Sequence, residues 1–449
     1  METGTGRQPD AASGAGDALL GRVLAGLLEA SHQAAPWEVS ALVGDAGRAL
    51  GLGEARVFLA DVQQVLLVPM PGPEQPVAGE SPGQPPPTSP GPPPEAGRPA
   101  AGSAGGDTGD PETGLDVDTT LAGRAYRTET LLRAAGTPPV CWVPLIDGIE
   151  RIGVLRVHPT GNDSALVEGR ARALASLVTL ILVSKSTFSD AIVRTTRTRP
   201  MSLQAELLWA FVPPRTIGTR SVTSSAVLEP AYEVAGDAFD HSLAGDVLHV
   251  ILVDAMGHDL ASGGASAVAL AACRSTRRTG GSLADIATAI DEALNEWIPD
   301  RLLTTVLTDL DTGTGRLSWV NCGHPPPLLI RSGAVVPGAL ERRPHPPLGI
   351  GRHLGRHPGR HLGPPEVHRV RLEPGDRVLL HTDGVTEARS VTGDLFGEHR
   401  LLDHIVRLAN TDQSAPEALR RLMHALLVHQ DHRLRDDATA VLIDWHPPQ

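Results

Sequence analysis

The segment Val247-Leu-His-Val-Ile-Leu-Val-Asp254 is an apolar strand pattern that ends on an acid. The same context recurs through the C-terminal half of the chain. Asp237 follows the apolar stretch Ala226–Val234 through Ala235-Gly236, Asp383 follows Arg377–His381, and Asp436 and Asp437 precede Thr439–Ile443. In an antiparallel sheet an acid after one strand and an acid before its neighbour lie at the same edge, so this pattern predicts that the carboxylates converge. Taken singly, an Asp beside Gly at a strand end is a turn residue. Repeated on four strands, it asks for another explanation.

Four or five carboxylates in one small volume repel one another unless cations neutralise them. An all-oxygen set suits Mg2+ or Mn2+ rather than Zn2+. A hydrolase built on two such ions needs no protein nucleophile, because the ions lower the pKa of a shared water, hold the phosphoryl oxygens and stabilise the charge that develops during in-line attack. Cysteine offers no competing nucleophile. Cys141, Cys273 and Cys322 have no Cys-x-x-Cys spacing, and none is followed six positions on by the Arg that a thiolate-based phosphatase loop requires. Three cysteines are also too few for a disulfide scaffold, which fits a reducing compartment.

At 449 residues the chain is expected to form two or three domains, on a prior of roughly 150 residues each. Its formal net charge of −13 opposes a nonspecific hold on nucleic acid or on an anionic membrane. Met1–Asp17 lacks the basic start and apolar stretch of a signal peptide. The longest apolar run, Ala173–Val183, is far short of the roughly 20 residues that span a bilayer. The expectation is a cytoplasmic protein with neither nucleic acid nor membrane as partner.

Residues 1–16 read as a disordered N-terminus. From Asp17 to Leu50 apolar residues recur at helical spacing, predicting two amphipathic helices broken near Pro36. Arg56–Ala60 with Gln64–Val68, and Val140–Leu145 with Arg151–Val157 across Asp147-Gly148, read as hairpins. Between them, residues 69–113 are dense in Pro, Gly and Ser and read as a flexible insertion, a plain disordered loop rather than a ligand for a proline-reading module despite its PxxP-like stretches. Ala165–Ile192 reads as a helix leading away from this first domain, and Ser202–Val212 as a shorter one ended by Pro213-Pro214. A helical connector is therefore expected over 186–213. From Ser221 the texture turns to β-strands, with one helical stretch between Leu260 and Trp297, and continues to Trp445. The quasi-repeat Gly-Arg-His at 351–353, 355–357 and 359–361 reads as a lengthened loop rather than a metal tract, since Arg alternates with His.

Five segments in this order, Glu233-Val-Ala-Gly-Asp-Ala-Phe-Asp240, Val253-Asp-Ala-Met-Gly-His258, Asn321-Cys-Gly-His-Pro-Pro-Pro-Leu328, Pro374-Gly-Asp-Arg-Val-Leu-Leu-His-Thr-Asp-Gly-Val-Thr-Glu387 and Asp436-Asp-Ala-Thr439, resemble the motif set of bacterial type-2C (PPM-type) serine/threonine phosphatases. The branch resembled is that of stage II sporulation protein E and the stress-response sigma-factor regulators, over about Leu203–Trp445. The resemblance implies an α-β-β-α sandwich over 214–446 that binds two Mn2+ or Mg2+ ions and removes phosphate from Ser or Thr of a regulatory partner protein, such as an anti-sigma-factor antagonist. It further implies Asp237 and Asp254 as central ligands, Asp254 bridging both ions. Asp383 and Asp436 follow on the later strands, and Ala255 contributes through its main-chain carbonyl. Asp437 competes with Asp436, which the spacing to Thr439 favours. His258 is either a proton donor to the leaving hydroxyl or a turn-capping histidine. Asn321 and His324 read as a shaped loop beside the site. Two positions depart from the pattern: Ala235 and Asp259 stand where Gly is frequent, and Asp259 adds an acid near the site.

Thr120-Leu-Ala-Gly-Arg-Ala-Tyr126 and the hairpin containing Cys141-Trp-Val-Pro-Leu145 and Gly153-Val-Leu155 resemble a GAF domain, here over 17–185. Domains of that kind bind a small molecule in a pocket over the sheet or serve as homodimerisation modules, and no residue here identifies a ligand. Two other readings of the C-terminal half stay open. One is a pseudophosphatase acting as a sensor-controlled binding module, against which the retained acids argue; the other is a phosphodiester or nucleotidyl enzyme using the same two-ion logic.

Overall fold

A computed structural model describes residues 11–72, 114–161, 163–350, 363–409, 413–431, 434 and 436–447. Residues 1–10 of the expected disordered start, most of the 69–113 insertion and the Gly-Arg-His repeats lie outside the described residues, whereas residues 11–16 of that start are helical, as the first turns of a helix that runs Ala11–Gln33. The chain divides into two compact units, the first formed by Met1–Asp147 with Arg151–Thr196 and the second by Arg197–Gln449 with Gly148–Glu150. The expected connector is split between them, 186–196 falling in the first unit and 197–213 in the second.

In the first unit, β1 (Ala55–Ala60), β2 (Leu66–Pro69), β3 (Leu115–Asp116), β4 (Leu132–Ala134), β5 (Val140–Asp147) and β6 (Glu150–Val157) form one sheet in the order β3-β2-β1-β6-β5-β4. Strand alternation sends successive side chains to opposite faces, and both faces are covered. Val57, Leu59, Leu155 and Val157 join the core under α1 (Ala11–Gln33), α2 (Val39–Ala49) and α4 (Ser164–Ser186), which also takes Ile192 of α5 (Asp190–Thr196). Phe58 and Val154 turn the other way, into a core with Trp142 and with Tyr126 of α3 (Leu121–Thr128). The two expected helices stand on either side of a single 3-10 turn that begins at Pro36, as that ring's missing N–H favours. The expected helix over 165–192 is two helices, α4 and α5.

The second unit opens with α6 (Leu203–Phe211), capped by the Ser202 hydroxyl, which accepts the Ala205 N–H. Two antiparallel sheets follow. One holds β9 (Asp237–Ala244), β10 (Val247–Ala255), β11 (Leu303–Asp311), β12 (Arg316–Cys322) and β15 (His368–Arg371), in the order β15-β12-β11-β10-β9. The other holds β7 (Thr216–Gly218), β8 (Val222–Glu229), β13 (Leu328–Arg331), β14 (Ala334–Val335), β16 (Arg377–His381) and β17 (Ala438–Trp445), in the order β14-β13-β16-β17-β8-β7. Helices α7 (Leu260–Arg278) and α8 (Leu283–Trp297) pack on the first sheet, and α11 (Ala415–His429) on the second, with α10 (Gly397–Ala409) beside it. Alternation again sorts the side chains. Val441 and Ile443 of β17 and Val378 and Leu380 of β16 join the core between the sheets, while Ala440, Leu442 and Leu379 face α10 and α11. The layers are α-β-β-α.

The sequence pattern misplaced two features. The single helical stretch expected over Leu260–Trp297 is two helices, parted at Gly280 in a left-handed conformation (φ +84°) and restarted by a capping box between Ser282 and Asp285. The β-texture expected to run to Trp445 is interrupted by α10 and α11. Their local signal is Ser414 followed by Ala415-Pro416-Glu417, an N-cap with proline in the first turn.

Candidate functional site

Strand register delivers the first two acids. Asp237 opens β9 and Asp254 lies near the end of β10, and the antiparallel pairing sets them directly opposite each other. Side chains so paired share a face of the sheet, where like charges destabilise it. From the second sheet, β16 ends at His381, and Asp383 begins the short helix α9 (Asp383–Thr386). Asp436 and Asp437 stand immediately before β17, which runs antiparallel to β16.

Charge shows how closely these groups meet. Burial pushes Asp237 well above the usual carboxylate range, and the charges of Asp254 and Asp437 push it further. Asp254 is raised to about 7 by burial and then by Asp383, Asp436 and Asp437. Burial raises Asp436 as well, with Asp437 and Asp383 adding to it. All five expected acids therefore belong to one electrostatic group. Among the described residues, no three Asp, Glu, His or Cys side chains are gathered closely enough as they stand to hold a metal ion. In donor chemistry the group nevertheless fits a hard divalent cation: every ligand atom is oxygen, and the burial and, after it, the mutual repulsion that disfavour these charges are what a cation offsets.

Neighbouring residues decide the shape of this corner. Asp437 Oδ2 accepts the N–H groups of Ala235 at 2.9 Å, Gly236 at 2.7 Å and Asp237 at 3.2 Å. Thr382 Oγ1 donates to Asp237 Oδ2 at 2.7 Å and accepts the Thr439 N–H at 3.0 Å. Gly236 passes so close to the Ala255 carbonyl that a Cβ there would lie 2.6 Å from its oxygen and 3.0 Å from that of Gly257. Ser266 of α7 donates to the Gly236 carbonyl. The Ala255 carbonyl thus lies beside the loop that leads to Asp237. Thr382, Gly236 and Ser266 were not singled out from sequence; a Thr directly before Asp383 reads as an ordinary helix cap.

His258 is exposed, and its charge bears on Asp436 and Asp437. Asp259, read from sequence as an extra acid near the site, has a structural employment. It caps α7 by accepting the Ser262 N–H at 2.9 Å and pairs with Arg301 at 2.6 Å, and these contacts hold its carboxyl down at about 2. Arg301 also donates to the Met256 carbonyl at 3.1 Å, tying the loop after Asp254 to the start of β11. Asn321 and His324 close a turn on each other, Asn321 Nδ2 donating to the His324 carbonyl and Oδ1 accepting the His324 N–H. The three cysteines are free and buried, and burial pushes Cys273 and Cys322 up to about 12, far from a nucleophilic thiolate.

Residues 244–446 match the family model described as Stage II sporulation protein E (SpoIIE). The curated Protein IcfG of Synechocystis sp. is 26% identical over 135 residues, 30% of this chain and 19% of that protein, so the chain spans about a fifth of this relative's length. Among solved structures, the SiaA-PP2C domain of Pseudomonas aeruginosa is 22% identical, with 54% of this chain and 94% of that one covered at a TM-score of 0.45. The phosphatase domain of SpoIIE from Bacillus subtilis, with a fragment of its regulatory domain, is 17% identical, with coverage of 51% and 63% and a TM-score of 0.41. Over residues 244–446, somewhat under half of its length, this chain is therefore similar to the stage II sporulation protein E family.

Proposed function

We propose that the second unit is a metal-dependent protein serine/threonine phosphatase. The observation that carries this reading is the pairing of Asp237 with Asp254 inside a group of five mutually repelling acids, one of them raised to about 7. The family match and the description of its relatives as PP2C phosphatases support it. Asp237, Asp254, Asp383 and Asp436 would hold two Mn2+ or Mg2+ ions, with the Ala255 carbonyl as a main-chain donor. Bound there, such ions supply an activated water and a clamp on the phosphoryl oxygens. The protein's own part is to keep these oxygens in one corner. Register fixes the Asp237–Asp254 pair, Gly236 leaves room for the Ala255 carbonyl, and Arg301 holds the loop that carries His258, the candidate proton donor to a leaving serine or threonine oxygen.

The substrate in this reading is a phosphorylated regulatory protein, such as an anti-sigma-factor antagonist, and the first unit is a GAF-like sensor that takes a small ligand or joins two copies of the chain. Its six-stranded sheet, covered by helices on both faces, is compatible with that assignment. Among the described residues no helix is long and apolar enough to cross a membrane.

The test is hydrolysis of an aryl phosphate and of a phosphoserine peptide by the purified chain, with Mn2+, with Mg2+ and with EDTA. Turnover that requires the metal and stops with EDTA is expected. Undiminished turnover in excess EDTA would overturn the mechanism. Ion binding without turnover on either substrate would favour a binding module instead.

A further inference from the structure

Thr382 is the N-cap of α9, and a threonine there ordinarily accepts an N–H of the helix's first turn. This one makes no capping bond. Its fully buried hydroxyl reaches across to the other sheet, donating to Asp237 Oδ2 at 2.7 Å while the Thr439 N–H donates to it at 3.0 Å. One hydroxyl therefore links β9 of the first sheet to the ends of β16 and β17 of the second.

Asp437 makes the second link. Its Oδ2 collects three successive N–H groups, those of Ala235, Gly236 and Asp237, from 202 to 200 positions away. Three donors on one oxygen of this half-buried carboxylate compensate much of its charge without a cation. Among the described residues Asp436, by contrast, accepts only the adjacent Asp437 N–H. The tight seating of the Asp437 backbone points the same way, since a Cβ on Gly384 would lie 1.8 Å from the Asp437 carbonyl oxygen.

We propose that Thr382 and Asp437 are positioning residues, a two-point strap between the sheets that fixes where Asp237 meets the other acids, and that Asp437 is not itself an ion ligand. This rests on the two-ion reading of the site. It assigns roles that residue type alone conceals, because Asp436 and Asp437 are the same amino acid side by side.

The experiment measures Mn2+ binding to the full-length chain by calorimetry and electron paramagnetic resonance, alongside amide hydrogen exchange in EDTA. Asp436→Asn removes a ligand and is expected to weaken binding more than about 100-fold, whereas Asp437→Asn, whose amide oxygen still accepts the same N–H groups, loses less than about fivefold. Thr382→Val is expected to weaken binding about tenfold, and Thr382→Ser, which keeps the hydroxyl, to restore it. Without metal, the amides of 235–237 are expected to exchange slowly in the parent chain and fast in Asp437→Ala. Equal losses in Asp436→Asn and Asp437→Asn would make Asp437 a ligand and overturn the proposal. So would parent-like affinity in Thr382→Val, or fast exchange of the 235–237 amides in the parent. A parent chain that binds no Mn2+ but protects those amides would overturn the proposed function and leave the strap supported.

Discussion

Stripped of divalent ions, the Asp254→Asn chain is expected to be more stable than its parent at pH 8, with that advantage vanishing towards pH 4. Burial, followed by the charges of Asp383, Asp436 and Asp437, raises Asp254 from 3.8 to about 7. The native state therefore holds this proton more tightly than the unfolded chain does. The associated stability is complete below about pH 4 and is lost as the pH rises through about 7. A shift of about 3 units at ~1.4 kcal/mol each corresponds to about 4 kcal/mol at pH 8, which partial exposure of the side chain reduces to about 2–4 kcal/mol. Asparagine has no charge to lose. The cost of burying its amide does not depend on pH, so it cancels when the difference between variant and parent is compared at the two pH values. Hydrogen exchange of the β9 and β10 amides under EDTA, across a urea series, reports the second unit by itself. Saturating Mn2+ should invert the order, because ligand binding stabilises only a state that binds it. An Asp254→Asn chain whose stability relative to the parent is the same at pH 8 and pH 4 would refute the idea that these acids are held together against their own repulsion.

Gly236→Ala should leave far-UV circular dichroism unchanged yet weaken Mn2+ binding at least about tenfold, because the added Cβ meets the Ala255 and Gly257 carbonyls at 2.6 and 3.0 Å; parent-like affinity would remove Ala255 from the site. His241, buried between the Ser224 hydroxyl at 3.0 Å and the Pro214 carbonyl at 2.7 Å, is lowered to about 4, chiefly by burial. Its contribution is complete above the unfolded value of 6.5 and is lost as the pH falls through about 4, up to about 3 kcal/mol, so His241→Gln should flatten acid destabilisation of the second unit in urea titrations at pH 7 and 4.5. An unchanged pH slope would count against a neutral buried ring.

The acids themselves were legible in the sequence because the physics that places them is local and periodic. A strand that must be buried reads as an apolar run, and an acid at its end stands out. The antiparallel rule then brings strand ends together, as the Asp237–Asp254 pairing shows. Helix starts carried by a side chain and the next turn, such as Ser202 before α6, were equally readable. What depended on tertiary structure was the direction of single hydrogen bonds over long separations. Thr382 has the local signature of a helix cap, and its bond to Asp237, 145 positions away, exists only because the two sheets stack. Asp436 and Asp437 carry the same chemistry, yet the turn before β17 aims one at the 235–237 backbone and leaves the other among the acids. Chain spacing cannot encode such a choice, because it is made by packing: a buried polar group must find whichever partner the folded layers bring within about 3 Å.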